Sequence, residues 1–396
     1  MDQKTQAPQE ISPARTPTDD PWLLTPGPLT TSPGVKAAMQ HDFGSRDHTF
    51  IAVNRRMRER LVDIVHGAGT HVCVPLQGSG TFVVEAMVGT FVPRAGKLLI
   101  LVNGNYGMRI ARICEYLKCD HAVLETPENE PAGPARLDAA LAGDNSITHV
   151  AVIHCETTTG ILNPVGEIAR VTASHGRSLL IDAMSCFGAI EIDTRRLPFD
   201  AIVASSNKCL EATPGLGFCI ARQEALANTQ GNSPSLALDL YDQWTAMEAN
   251  HQWRFTPPVH TILSFDQALN EFDEEGGVEG RGARYRENCE TLLAGMSKLG
   301  FQSLLQPELQ APIIVTFLTP ADPNFNFEAF YNGVREKGYV IYPGKLTVAD
   351  TFRIGCIGRI GKQQIEGALA AIGATLDELG VSDCAPVTPR ATKTHQ

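Results

Sequence analysis

Between residues 72 and 220 the chain repeats one pattern: a short apolar run, a small polar loop, then a helical stretch. The apolar runs fall at 72–76, 98–102, 150–153, 178–183 and 199–204. Their length and β-branching predict buried parallel strands. Helical text follows at 82–88, at 108–117 and after Pro164. The last of these is marked by Asn163 as cap, Pro164 in the first turn and Gly176 at the end. Such alternation predicts a doubly wound α/β domain.

Upstream, residues 24–30 read as a rigid, turn-rich segment packed over the surface. A short helix is predicted at 33–41. A longer one is predicted at 50–65, with apolar spacing at Ile51, Met57, Leu61 and Ile64. Residues 253–260 are irregular and aromatic, and Pro257 and Pro258 stop any helix there. From Ile262 a long helix leads away. Its pattern breaks at residues 274–277 and resumes through Tyr285 to Leu299. The last third predicts a small α+β domain, with strands at 313–317, 339–342 and 352–355 and helices at 327–337 and 362–379. The expected division is a disordered extension at 1–20, a large α/β domain at 21–265, a small α+β domain at 266–382 and a flexible tail at 383–396.

Composition narrows the function classes. The 396 residues are 43% hydrophobic and 19% charged, enough for a large core. The net charge of −11 is spread along the chain, which argues against nucleic acid or an anionic membrane as partner. No apolar run approaches the roughly 18–20 residues of a membrane span. The first twenty residues lack the apolar core of a secretory signal. Ten cysteines are scattered without a C-x-x-C pair. They are expected to be buried thiols of a reducing cytoplasm, with neither a disulfide framework nor a metal site.

The candidate chemistry collects at the carboxyl ends of the predicted strands, where open α/β sheets bind ligands. Ser79-Gly80-Thr81 opens an apolar helix and suits a phosphate, although an ordinary helix cap has the same text. It lacks the lysine of a P-loop and the three glycines of a dinucleotide fingerprint. Tyr106, beside two glycines, either stacks on a flat ligand or caps a helix core. His154 is expected to be a satisfied core histidine. Glu156 and Thr157 lie in the next strand-to-helix loop. Asp182 ends one strand, and Lys208 follows the next. Such a pair is an ordinary ion pair, or else a carboxylate holding the ring nitrogen of pyridoxal phosphate above a Schiff-base lysine. Arg353 sits inside an apolar strand and needs an anion, either a structural carboxylate or a bound substrate. Arg46 is read as a solvated loop residue, with substrate contact as the alternative.

The motifs LLTPGPLTTSPGV, LQGSGTFVVEAMV, NGNYG, CETTTGILNPV, LLIDAMSCFGAIEID, SSNKCLEATPGLGF, RFTPPVH and FRIGCIG stand in this order. The series resembles the 2-aminoethylphosphonate–pyruvate transaminases, on the alanine–glyoxylate branch of the fold-type-I aminotransferases. The resemblance runs from about Leu24 to Gly380. It implies a pyridoxal phosphate enzyme that converts 2-aminoethylphosphonate and pyruvate into phosphonoacetaldehyde and L-alanine. It implies Lys208 as the Schiff-base lysine and Asp182 as the partner of the pyridine nitrogen. Ser79, Gly80 and Thr81 become the phosphate cup, Tyr106 the ring-stacking residue and Thr157 the hydroxyl near the phenolic oxygen. Arg353 receives the acidic group of the substrate, with Arg46 as a second helper. Thr256 is similar to a threonine that reaches the phosphate of a neighbouring subunit, so a homodimer with shared sites is implied. The rival expectations are an alanine–glyoxylate or serine–pyruvate transaminase, another pyridoxal phosphate lyase such as a desulfurase, and, further off, a cofactor-free Schiff-base aldolase or a ligand-binding protein.

Overall fold

The structure, a computed structural model, describes residues 20–344 and 350–386. The extension expected at 1–20 lies almost wholly outside the described residues, as do residues 387–396 of the tail.

Seven strands form the central sheet: β1 (His71–Gln77), β2 (Lys97–Val102), β3 (Asp120–Glu125), β4 (Ile147–Ile153), β5 (Ser178–Asp182), β6 (Ala201–Ser205) and β7 (Leu216–Arg222). Their spatial order is β1-β7-β6-β5-β4-β2-β3. All neighbours are parallel except β7, which runs antiparallel to β1 and β6. That is one departure from the expected pattern. Residues 206–215 are too short to carry a crossover helix, so the strand they lead to must turn back. A second departure is the connection 183–200, which contains no helix. Gly188 at φ +89°, Asp193 and Pro198 punctuate it into successive turns.

Successive residues of the inner strands face opposite ways and build two cores. Val150, Val152, Leu179, Ile181 and Ile202 join one, with helices His48–Ile64 and Val259–Glu274. Ala151, Ile153, Leu180, Ala201 and Val203 join the other, with helices Gly80–Phe91 and Asn105–Leu117. This is why these strands read as continuous apolar runs. Truncating Leu180 or Ile181, both fully buried, to alanine is expected to cost about 2–5 kcal/mol. Edge strand β3 is partly exposed and gave no such signal.

The second sheet has three antiparallel strands, Ile314–Leu318, Thr351–Gly355 and Tyr342–Pro343. The run 339–342 is not one strand. Tyr339–Val340 pairs with Trp22–Leu23, whereas Tyr342–Pro343 pairs with the Arg353 strand. Helices Gly277–Lys298, Phe327–Glu336 and Lys362–Leu379 complete this layer. Leu24 joins its core, so residues 24–30 are not a surface cover as expected. Residues 383–386 remain attached to the layer: Ala321 N–H donates to the Ala385 carbonyl at 2.8 Å, and Cys384 is buried.

Candidate active site

Asp182 ends β5 and pairs with Val203 on the adjacent parallel strand β6. Lys208 follows β6 by one turn. Both line one cavity of about 330 Å³ with Ser79, Gly80, Thr81, Tyr106, Arg109, Met184, Ser185, Ser205 and Asn207. One small heterocycle can therefore reach the amine and the carboxylate together.

The environment tunes both groups. Burial pulls the Lys208 amine down to about 8. Its Nζ donates to the Pro26 carbonyl at 2.5 Å. Gly27 is required beside it: φ is +108°, and a Cβ there would lie 2.8 Å from Lys208 Cδ. Burial pushes Asp182 up to about 6, against the Met184 N–H that donates to its Oδ1 at 2.8 Å. An amine that loses its proton near neutrality can act as nucleophile and base.

Ser79 holds the N-cap position of helix Gly80–Phe91, but its side chain makes no capping bond. The hydroxyl and the first helical N–H groups remain available to an anion. At Gly80 an added Cβ would meet Met184 Sδ at 2.6 Å, so a larger residue would have to displace the end of the Met184 side chain. Two residues missed in the sequence belong here. Ser205 ends β6 and is buried, and its Oγ has no partner. Arg109 lies one helical turn beyond Tyr106. Its guanidinium stacks 4.6 Å from the Tyr106 ring centroid, and Nη1 donates to Thr81 Oγ1 at 3.3 Å. One cavity that gathers an orphaned hydroxyl, a guanidinium and a helix N-terminus without a side-chain cap fits a monophosphate. The i, i+3 spacing of Tyr106 and Arg109 was the available signal.

Arg353 is completely buried. Nε donates to the Pro343 carbonyl at 3.1 Å and Nη1 to the Thr157 carbonyl at 2.8 Å, while Nη2 has no partner. Among the described residues no carboxylate lies within ion-pair distance of it. Of the two sequence readings, a structural Asp or Glu partner is absent there, and the free Nη2 is left for an anion. The Thr157 hydroxyl lies 2.5 Å from that of Ser185.

Other expectations change. Asn163 is not a helix cap; Pro164 holds that position. The Asn163 side chain is buried and bonds Asn103, the Ile153 carbonyl and the Ala132 N–H, tying the β2 and β4 loops together. His154 is buried and held down to about 4, hence neutral, with Nδ1 unpartnered rather than satisfied. Glu156 receives the N–H groups of Tyr106 and Gly107 at 3.2 and 3.4 Å and anchors the start of the Tyr106 helix. Thr256 and Arg46 are exposed and lie outside the cavity lining, as do the buried Thr157 and Arg353. All ten cysteines are free, and Cys119 alone is not buried. His66, Glu191 and Asp193 gather ligand atoms away from the cavity, but Asp193 is held by Arg195 at 2.7 and 2.8 Å. No helix among the described residues is long and apolar enough to cross a membrane.

Residues 36–338 match the family described as Aminotransferase class-V. A 2-aminoethylphosphonate–pyruvate transaminase of Cupriavidus pinatubonensis is 56% identical over 364 residues, covering 92% of this chain and 96% of that protein. Its counterpart in Pseudomonas aeruginosa strain PAO1 is 55% identical over 361 residues, covering 91% and 97%. Among solved structures, an alanine–glyoxylate aminotransferase from Nostoc sp. superposes with a TM-score of 0.85, at 22% identity over 93% of this chain and 98% of that one. The fold is therefore that of the pyridoxal phosphate aminotransferases of fold type I, and the chain belongs to the class-V aminotransferases.

Proposed function

We propose that the chain transfers the amino group of 2-aminoethylphosphonate to pyruvate, yielding phosphonoacetaldehyde and L-alanine. The observation that carries the reading is the cavity shared by Lys208 and Asp182; the buried Arg353, outside that lining, adds a guanidinium nitrogen, Nη2, without a partner. The high identity to relatives bearing that name supports the donor and acceptor.

Pyridoxal phosphate supplies an electron sink when bound. Ser79, Gly80, Thr81 and Ser205 would hold its phosphate, with Arg109 adding positive charge through Thr81. Asp182 would keep a proton on the pyridine nitrogen, Tyr106 would cover the ring and Thr157 would bond the phenolic oxygen. Lys208 would hold the aldehyde group, and its Nζ would carry the proton that leaves the amine-bearing carbon of the substrate, as base and then acid.

Arg353 takes the acidic group. In alanine this carboxylate is on the reacting carbon; in the aminophosphonate the phosphorus is one carbon further out. Arg353 has to serve both positions, and Arg46 keeps a helper role only in a dimer that delivers it to the neighbouring cavity. Thr256 is exposed beside the exposed Phe255, which supports its donation to a second subunit in a homodimer with shared sites.

The test is an amino-donor screen against pyruvate with detection of alanine. 2-Aminoethylphosphonate is expected to outpace serine by about 100-fold in kcat/KM, the scale of a site fitted to an acidic group one carbon further out than the carboxylate of serine. Serine, or alanine with glyoxylate, exceeding it would move the chain to the serine–pyruvate or alanine–glyoxylate activity.

A further inference from the structure

The lysine loop and the strand of Arg353 belong to different sheets, yet one buried charge network joins them. Glu211 closes the turn that begins at Lys208: its N–H donates to the Lys208 carbonyl at 2.8 Å. It is buried and held at φ +57°, a costly conformation for a residue other than glycine. Its Oε1 accepts from Tyr285 Oη at 2.5 Å and from Arg284 Nη2 at 2.7 Å. Both donors sit on helix Gly277–Lys298. The same helix sends Arg281 Nη1 to the carbonyl of Cys209, the residue after the lysine. Glu275 balances the two arginines, at 2.7 Å from each.

On its other side the network grips the segment that leaves the Arg353 strand. Arg284 Nη1 donates to the carbonyls of Gly358 and Ile360 at 2.6 and 2.8 Å. Gly358 N–H donates to Tyr285 Oη at 3.2 Å. Asn288 adds bonds to the carbonyls of Cys356 and Ile360 at 3.0 and 3.2 Å. Tyr285 Oη is thus a two-way link: it gives its proton to Glu211 and takes one from Gly358. With Arg281 and Glu211 buried and Arg284 and Glu275 only partly exposed, these charges are a poor source of stability, since desolvation offsets most of their attraction. Their geometry, by contrast, is fixed at both ends.

We propose that Glu211 and Tyr285 are positioning residues that set the span between the Lys208 amine and the Arg353 guanidinium. The proposal rests on the functional reading above and adds residues that contact neither cofactor nor substrate. Fixing this span decides how well a substrate bonded at both ends is oriented.

The test compares two reagents that attack the cofactor aldehyde, aminooxyacetate and methoxyamine. Only the first carries a carboxylate for Arg353. Their relative rates, followed by the absorbance of the loaded protein, report the span and not general integrity. Tyr285→Phe and Glu211→Gln are each expected to lower the aminooxyacetate-to-methoxyamine ratio by about tenfold, within the usual range of coupling between sites. Arg353→Ala should lower the same ratio, and adding Tyr285→Phe to it should lower it no further. Equal loss with both reagents, or an unchanged ratio in both variants, would overturn the proposal and leave the network merely structural. A wild-type protein that reacts with neither reagent would instead refute the functional reading itself.

Discussion

Arg353 Nη1 donates to the carbonyl of Thr157 at 2.8 Å, a bond between the small sheet and the loop after β4. It fixes the guanidinium on one side and leaves Nη2 without a partner, which the proposed function assigns to the acidic group of the substrate. Arg353→Ala removes that charge-assisted bond. The KM for pyruvate is expected to rise about 10- to 100-fold. Steady-state kinetics with pyruvate varied at fixed donor measure this, and an unchanged KM would remove Arg353 from substrate binding.

The Ser205 hydroxyl is buried at the end of β6 without a partner. Ser205→Ala leaves every hydrogen bond of the cofactor-free protein intact. Its melting temperature should therefore match the wild type, whereas affinity for pyridoxal phosphate should fall about tenfold. A thermal melt of the cofactor-free protein reads the first quantity and an equilibrium titration with pyridoxal phosphate the second. Equal cofactor affinity would exclude Ser205 from the phosphate site.

Lys208 gives a pH signature. Burial lowers its folded-state value to about 8, below the unfolded 10.5. Between those values the unfolded chain binds more protons than the folded one. Stability of the cofactor-free protein therefore rises with pH across that window, and below pH 8 the penalty is constant. Lys208→Met should abolish this rise and stabilise the cofactor-free protein near pH 7, by up to about 3 kcal/mol. The same substitution should abolish turnover. Denaturant melts at pH 7 and pH 10 provide the check. A wild-type curve that is flat over this range would contradict the burial argument.

The proposed sharing of sites between two subunits is open to a mixing experiment. Lys208→Ala and Thr256→Ala are each expected to be inactive or nearly so. Mixed dimers would carry one site with both native residues, so refolding the two together should restore activity toward a quarter of wild type, the statistical share of intact sites. No recovery, or a monomer by sedimentation, would remove Thr256 from the neighbouring cavity.

The sheet was legible because β2, β4, β5 and β6 are buried on both faces and therefore read as unbroken apolar runs. Helix Lys362–Leu379 falls where its periodicity placed it. Edge strand β3, with one exposed face, left no such trace. The reversal of β7 depends on the length of one connection, which hydrophobicity does not encode. In the site, Lys208 and Asp182 were readable as polar residues ending apolar strands. Ser205 looked like one more small residue of a loop, and its meaning lies in a missing partner that only coordinates reveal. Asn163 carried the text of a helix cap, but long-range bonds to Asn103 outweighed it. The network around Glu211 joins residues more than sixty positions apart, and no local pattern announces it.

The pairing of Trp22–Leu23 with Tyr339–Val340 ties the earliest described strand to one made almost a whole chain later. During synthesis on the ribosome, the central sheet can close while the segment bearing Pro26 still waits for its berth. The carbonyl that receives the Lys208 amine reaches its place only after the small sheet has emerged. A nascent chain halted before that point would own the lysine, the carboxylate and the phosphate turn, and still lack the wall that encloses them.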